Sequence, residues 1–205
     1  MSIYERHVLP WLIERACSVR PIARQRAAIV PLATGDVLEI GVGSGLNMPL
    51  YDLARVNSVT GLDISDTLLQ RASARAAKAG VPFTPLLLDA ATIPLPDASV
   101  DTVLVTFTLC SIADLSCALA EMRRVLKPDG RLIFCEHGRA PDRAVAMVQD
   151  IVNPIWKPLA GGCHLNRDPL AELRAAGFTF EWVDDGYLPL TWRPVGWNSW
   201  GVARR

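Results

Sequence analysis

Residues 37–45 read Val-Leu-Glu-Ile-Gly-Val-Gly-Ser-Gly, and this stretch constrains the chain more than any other. Val37, Leu38 and Ile40 form a short apolar run of β-favouring residues, opened by the turn pair Gly35-Asp36. Gly41, Gly43 and Gly45 follow at every second position, so the backbone can turn sharply and approach a ligand with no Cβ in the way. A strand, a glycine turn and a helix from about Leu46 to Ala54 are expected. The dinucleotide fingerprint Gly-x-Gly-x-x-Gly is not met, because the third glycine comes one residue early and Leu46 stands where that pattern needs glycine. On the glycines alone, a nicotinamide or flavin oxidoreductase and a loop with no ligand both stay open.

Two further strands are expected to end on acids. Ser58 to Ile64 reads as the second strand, with Asp63 lying 22 residues past Gly41. A carboxylate there can accept both hydroxyls of a ribose. The plainer reading is a cap for the next helix (Thr67 to Lys78, stopped by Gly80), although Ser65 or Asp66 can cap without it. Phe83 to Leu88 reads as the third strand, followed by Asp89 and Ala90. Asp89 would accept from an adenine amino group while Ile64 and Leu88 sandwich the ring, or it is a simple turn residue. Val100 to Thr106 is almost wholly apolar, as a strand buried on both faces should be. It leads into Thr106–Ile112 at the carboxyl ends of the strands, where open α/β sheets bind ligands.

Beyond it the pattern predicts a helix over Leu115–Leu126, a strand over Arg131–His137, and an apolar helix over Val145–Trp156. A polar loop at Gly161–Arg167, an Asp168-capped helix ending at Gly177, and strands at Phe178–Val183 and Val195–Ala203 follow. Residues 3–32 read as helices broken by Pro10, Pro21 and Pro31, forming a cap on the sheet or a lid with Tyr4 and His7 toward the pocket.

Net charge is zero, from 21 basic and 21 acidic residues, which gives no electrostatic case for nucleic acid. No apolar run approaches a membrane span and no signal peptide is visible. The five cysteines are scattered, with no C-x-x-C pair, so reduced thiols in the cytosol and no metal site are expected.

The form E-x-G-x-G-x-G at 39–45 resembles motif I of class I S-adenosylmethionine (SAM) methyltransferases. G-L-D at 61–63, D-A at 89–90 and R-V-L-K-P-D-G at 124–130 extend the likeness. The last is similar to the R-V-L-K-P-G-G signature of the methyltransferase type 11 group, with Asp129 in place of a glycine. L-C-S-I at 109–112, E-H at 136–137, G-C-H-L-N-R-D at 162–168 and the closing W-R-P and W-G-V-A-R resemble the methyltransferase-like family seven thiol methyltransferases. The layout is also similar to bacterial phospholipid N-methyltransferases. The N-terminus departs, since no hydrophobic membrane anchor is seen.

The resemblance implies a single α/β domain over 1–205, with 1–34 as the helical cap or lid. Its sheet would be Rossmann-like, seven-stranded and mostly parallel, flanked by helices, in order 3-2-1-4-5-7-6 with strand 7 antiparallel. It implies SAM as cofactor, held by Glu39, Gly41, Gly43, Gly45, Asp63, Ile64, Leu88, Asp89, Ala90 and Thr106, whose carbonyl would take the methionine ammonium. His137 and His164 are the candidate bases. Tyr4, His7, Cys110, Asn166 and Arg167 are the candidate acceptor contacts. The acceptor is expected to be small and apolar, first a thiol, then a phospholipid amine or quinone-like phenol. A cytosolic enzyme with contact to a membrane surface is expected; a catalytically inactive SAM-binding protein is the rival from another class.

Overall fold

The computed structural model describes residues 9–205. Its centre is a sheet of strands β1 (Gly35–Ile40), β2 (Val56–Asp63), β3 (Phe83–Leu87), β4 (Val100–Thr106), β5 (Leu126–His137), β6 (Thr179–Tyr187) and β7 (Trp197–Arg204). The order is β3-β2-β1-β4-β5-β7-β6, as expected from the resemblance. All neighbours pair in parallel except β7, which runs antiparallel to both β5 and β6. The order reverses between β1 and β4, which opens a crevice at the carboxyl ends of these strands.

Helices α1 (Leu9–Cys17), α2 (Arg20–Ile29), α3 (Asp66–Ala79), α4 (Leu115–Val125), α5 (Arg143–Leu159), α6 (Pro169–Ala175) and α7 (Arg193–Gly196) flank the sheet. The strand period of two sorts the apolar runs between its faces. Leu38, Ile40, Val103, Val105, Leu132 and Phe134 join Leu119 and Met122 of α4 in one core. Val37, Leu104, Ile133 and Cys135 join Ile29 of α2 and Leu69, Ala72 and Ala76 of α3 in the other. The near-continuous hydrophobicity of β1 and β4 is therefore the mark of strands covered on both sides.

Caps fall where the residue types place them. The Ser65 hydroxyl accepts from Leu68 N at the start of α3, and Gly80 closes that helix at φ 73°. Asp168 accepts from Leu170 N and Ala171 N at the start of α6. The R-V-L-K-P-D-G stretch is a brace rather than a ligand site. Arg124 pairs with Glu121 and Asp97 and donates to the carbonyls of Ile93 and Leu95, while Lys127 pairs with Asp101.

One expectation is corrected. Leu46–Ala54 is not an α-helix: it forms turns and one short 3-10 turn, Met48–Leu50. Pro49 brings no N–H to a helix, and Asn47 spends its side chain on Glu39, Arg26 and Thr106. Strand β5 also starts earlier than expected, at Leu126.

Candidate active site

The glycine turn is shaped by three different demands. Gly41, Gly43 and Gly45 all have positive φ, at 65°, 54° and 77°. A Cβ on Gly41 would lie 2.3 Å from Thr108, and one on Gly45 2.8 Å from the α3 backbone at Ala72, so these two are packing glycines. A Cβ on Gly43 would meet only the Gly41 carbonyl, at 3.9 Å. Gly43 therefore borders open space. Asp63, at the end of β2, holds the turn. Its Oδ2 accepts from Gly43 N and its Oδ1 from Ser65 N, each at 2.9 Å. Burial raises the Asp63 pKa, opposed by these amides.

Glu39 lies one residue out of step with Leu38 and Ile40, so it points to the α2–α3 face. It is fully buried, with Oε1 accepting from Asn47 Nδ2 at 2.8 Å and Oε2 from the Tyr51 hydroxyl at 2.6 Å. Both oxygens are committed beneath the turn, so Glu39 is placed to position the cradle rather than to touch a ligand. Burial pushes its carboxyl up to about 7.

The crevice holds a cavity of about 60 Å³ lined by residues of the glycine turn, Thr106, Phe107 and Thr108, with Ile13, Glu14, Cys17 and Arg26 closing it from above. Arg26 was not foreseen. Its Nη1 donates to Asn47 Oδ1 at 2.8 Å and Thr106 Oγ1 at 2.6 Å, while its buried Nε has no partner. Phe107, under the Arg26 guanidinium, sits at φ 57°, where a bulky residue costs about 1–3 kcal/mol unless its surroundings fix it. Phe107 N donating to the Cys135 carbonyl and Thr108 N donating to Glu136 Oε1, each at 2.8 Å, fix it. α1 is tied down by Glu14, which pairs with Arg71 and Arg75; Arg75 in turn donates to the Ser44 carbonyl and hydroxyl.

Farther along the strand ends, Ile64 is 73 % and Leu88 39 % exposed, two apolar side chains presented at the ends of β2 and β3. Asp89 is exposed and its Oδ1 accepts from Ala91 N at 2.8 Å, while Ala90 is buried.

The remaining candidates divide. His137 Nε2 lies 3.2 Å from Cys163 Sγ, and the Trp156 indole N–H reaches the same sulfur at 3.3 Å. Cys110, His137 and Cys163 offer ligand atoms all within 4.8 Å of one another. Hydrogen bonds from the Cys110 thiol, and then from His137 and Trp156, overcome burial and hold the Cys163 thiol well below the usual range. Burial alone would lower His137, but the Cys163 sulfur reverses this and raises it. Cys110 and Cys163, far apart in the chain, thus lie together in space.

His164 lies on the adjoining loop, where its amide donates to the Cys110 carbonyl at 2.9 Å. Burial and the nearby Arg167 and Lys157 lower its pKa. Arg167 donates to the carbonyls of Leu109 and Ile112, so it braces the loop after β4, and Asn166 donates to Asp150 Oδ1 at 2.9 Å. Both side chains are thus engaged within the protein. Tyr4 and His7 fall outside the described residues.

The arrangement suits SAM. Open space over Gly43 gives the main chain a face for the ligand, and a permanent cation with a spare buried N–H at Arg26 suits the carboxylate of the amino-acid tail. Asp63 brings a carboxylate to the rim of the glycine turn, and Ile64 and Leu88 present exposed apolar side chains beside it. The methyltransferase domain family matches residues 38–134. The demethylmenaquinone methyltransferase of Thermus thermophilus is 31 % identical over 156 residues, covering 74 % of this chain and 71 % of that protein. The chain belongs to the SAM-dependent methyltransferases.

This methyltransferase is also 37 % identical to a rat protein named thiol S-methyltransferase TMT1B, over 110 residues. That match covers 53 % of this chain and 45 % of the relative, so the chain spans about half the length of that protein. A solved SAM-dependent methyltransferase of Thermotoga maritima superposes with a TM-score of 0.68 at 24 % identity, covering 98 % of this chain and 97 % of that one, a likeness of fold.

Proposed function

We propose that this methyltransferase moves the methyl group of SAM to a small apolar thiol. The observation that carries the thiol reading is the sulfur- and imidazole-bearing wall built by Cys110, His137 and Cys163. Cys110 lies on the loop after β4, whose first residues Phe107 and Thr108 line the cofactor cavity, so that wall continues from the cradle. The likeness to a named thiol methyltransferase supports the same reading.

When bound, SAM supplies a sulfonium leaving group, so activation comes with the cofactor. The protein's share is placement, which can be worth roughly 7–11 kcal/mol for well-aligned partners. Gly41, Gly43 and Gly45 would shape the bed for the methionine part and Arg26 would pair its carboxylate. Asp63 would grip the ribose, with Ile64, Leu88, Asp89 and Ala90 around the base. The Thr106 hydroxyl is tied to Arg26 and Asn47, and its carbonyl, which accepts from the Thr108 hydroxyl at 3.2 Å, would take the ammonium on its second lone pair. A thiol, with a pKa of about 8.5, needs little help to ionise. His164, on the loop beside Cys110, is the proposed base for an acceptor that arrives protonated and needs one. α1 would act as the lid, because the enclosed 60 Å³ is far below the roughly 300–1,000 Å³ of ligand pockets.

A second reading, a lipid amine or quinone-like phenol as acceptor, is supported by the outer face of α5. Met147, Ile151 and Ile155 stand exposed at helical spacing, and an exposed Trp192 packs at a tilt against Trp156 of the same helix. Such a face suits a protein of the cytosol that rests on a membrane surface; no described helix is long and apolar enough to cross one. Methyl transfer from labelled SAM to alkyl and aryl thiols, phosphatidylethanolamine vesicles and a quinol separates these readings. Labelled thioether is expected. Label in lipid or quinol alone would refute the thiol, and SAM binding without any product would mark an inactive binder.

A further inference from the structure

We propose that Cys110, His137 and Cys163 form a binding site for a zinc-class divalent cation, with a fourth coordination position open to the sulfur of the acceptor. The acceptor half of this inference rests on the thiol reading above.

The donor set is the first argument. Two thiols and one imidazole within 4.8 Å of one another match the borderline-soft ligands zinc prefers. Tetrahedral bonds of about 2.3 Å to sulfur and 2.0 Å to nitrogen put ligand atoms about 3.5–3.8 Å apart. The His137–Cys163 distance of 3.2 Å and the 4.8 Å bound for the set require only rotamer-scale adjustment. Position is the second argument. Cys110 follows β4, His137 ends β5, and Cys163 sits on a loop held against them by the His164 amide and the Arg167 guanidinium. Adjacent parallel strands deliver the first two to one edge of the sheet. The surroundings are the third. The Trp156 N–H on Cys163 Sγ is the kind of outer contact that orients a thiolate ligand. Coordination through His137 Nε2 would replace its contact with Cys163 Sγ by a shared bond to the cation.

Three protein ligands make an open site rather than a closed structural one. The loop after β4 carries both Cys110 and the cavity-lining Phe107 and Thr108, which sets the site next to the cradle. A thiol entering there would bind as its thiolate, its proton leaving to solvent.

Cobalt(II) titration of the chelator-stripped protein tests the site. One equivalent with tetrahedral d–d bands and thiolate charge-transfer intensity is expected. Cys110→Ser and Cys163→Ser should abolish stoichiometric binding, Cys117→Ser on the exposed face of α4 should not, and Trp156→Phe should weaken affinity by about 10–100-fold. To keep the test independent of variant folding, zinc should protect Cys110 and Cys163 of the unaltered protein from alkylation, read by mass spectrometry. Absence of stoichiometric binding, binding that survives Cys163→Ser, or no protection overturns the site. Ethanethiol should then shift the cobalt bands with proton release; unchanged bands overturn the open position. Full thiol methylation by the metal-free protein would leave the proposed function standing and remove the cation from it. Cobalt binding with no thiol methylation would do the reverse.

Discussion

Asp63→Ala separates the fold from the ligand. In the structure its carboxylate accepts from Gly43 N and Ser65 N, each at 2.9 Å. Hydrogen bonds to a charged group are worth about 1.5–3 kcal/mol, but Asp63 is half-buried and water can reach the freed amides, so a loss of about 1–2 kcal/mol of stability is expected. For a chain of this size that is a Tm lower by roughly 2–8 °C. If the same carboxylate also grips the ribose, SAM affinity should fall by a further 1.5–3 kcal/mol or so, about 10–150-fold. Asp63→Asn keeps one acceptor and the side-chain shape, so its losses should fall at the lower end of both ranges. Thermal melts give the first quantity and calorimetric titration with SAM the second. A variant that melts early yet binds SAM with unchanged Kd would show that Asp63 only pins the glycine turn, and the assignment of the ribose site would fail.

Gly45→Ala and Gly43→Ala should differ in kind. The first pushes a Cβ to 2.8 Å from the α3 backbone and should cost roughly 2–4 kcal/mol of stability, while the second meets open space, costs only about 1 kcal/mol for its φ of 54°, and should also weaken SAM binding; equal melts would contradict the packing argument. Glu14→Gln removes the anion that ties α1 to Arg71 and Arg75. Stopped-flow SAM association and dissociation should both accelerate, and unchanged rates would rule out α1 as a lid. Burial pushes Glu39 and Glu136 up to about 7, from ordinary values of 4.5. Each holds its proton more tightly folded than unfolded, so its share of stability is complete below 4.5 and is lost as pH rises through about 7. Urea unfolding between about pH 5 and 7 should lose up to about 1.4 kcal/mol per pH unit for each group, and Glu39→Gln should halve that slope. An unaltered slope would mean that Glu39 is ionised in the fold.

The sheet was readable because its strands are short β-branched runs ended by turn residues, and because acids mark the ends of β2 and β3. Their left-to-right order came from the resemblance, not from periodicity. Leu46–Ala54 misled because its apolar residues suggested a helix, while Pro49 and the fully engaged Asn47 dictate turns. Arg26 carried no signal, being one of several arginines in a helical segment that only the folded chain lays over Thr106. The thiol–imidazole group escaped notice because its members are far apart in the chain and no short ligand spacing links them. A clue was present: Cys110 and His137 each follow a run expected to be a neighbouring central strand. Asn166 and Arg167 stand in the motif of a ligand loop, yet their side chains are spent on Asp150 and on the carbonyls of the loop after β4.

The placement of β7 between β5 and β6 affects how the protein is made. Residues 197–204 must slot between two partners that leave the ribosome before them. Until they do, the Leu132–His137 margin carries an open row of amides and carbonyls beside strongly apolar side chains, a template for pairing with another nascent copy. Biogenesis should therefore be most vulnerable to self-association in the interval before that late insertion, and chaperone dependence should track lesions in residues 197–204 more than equally buried changes in β1.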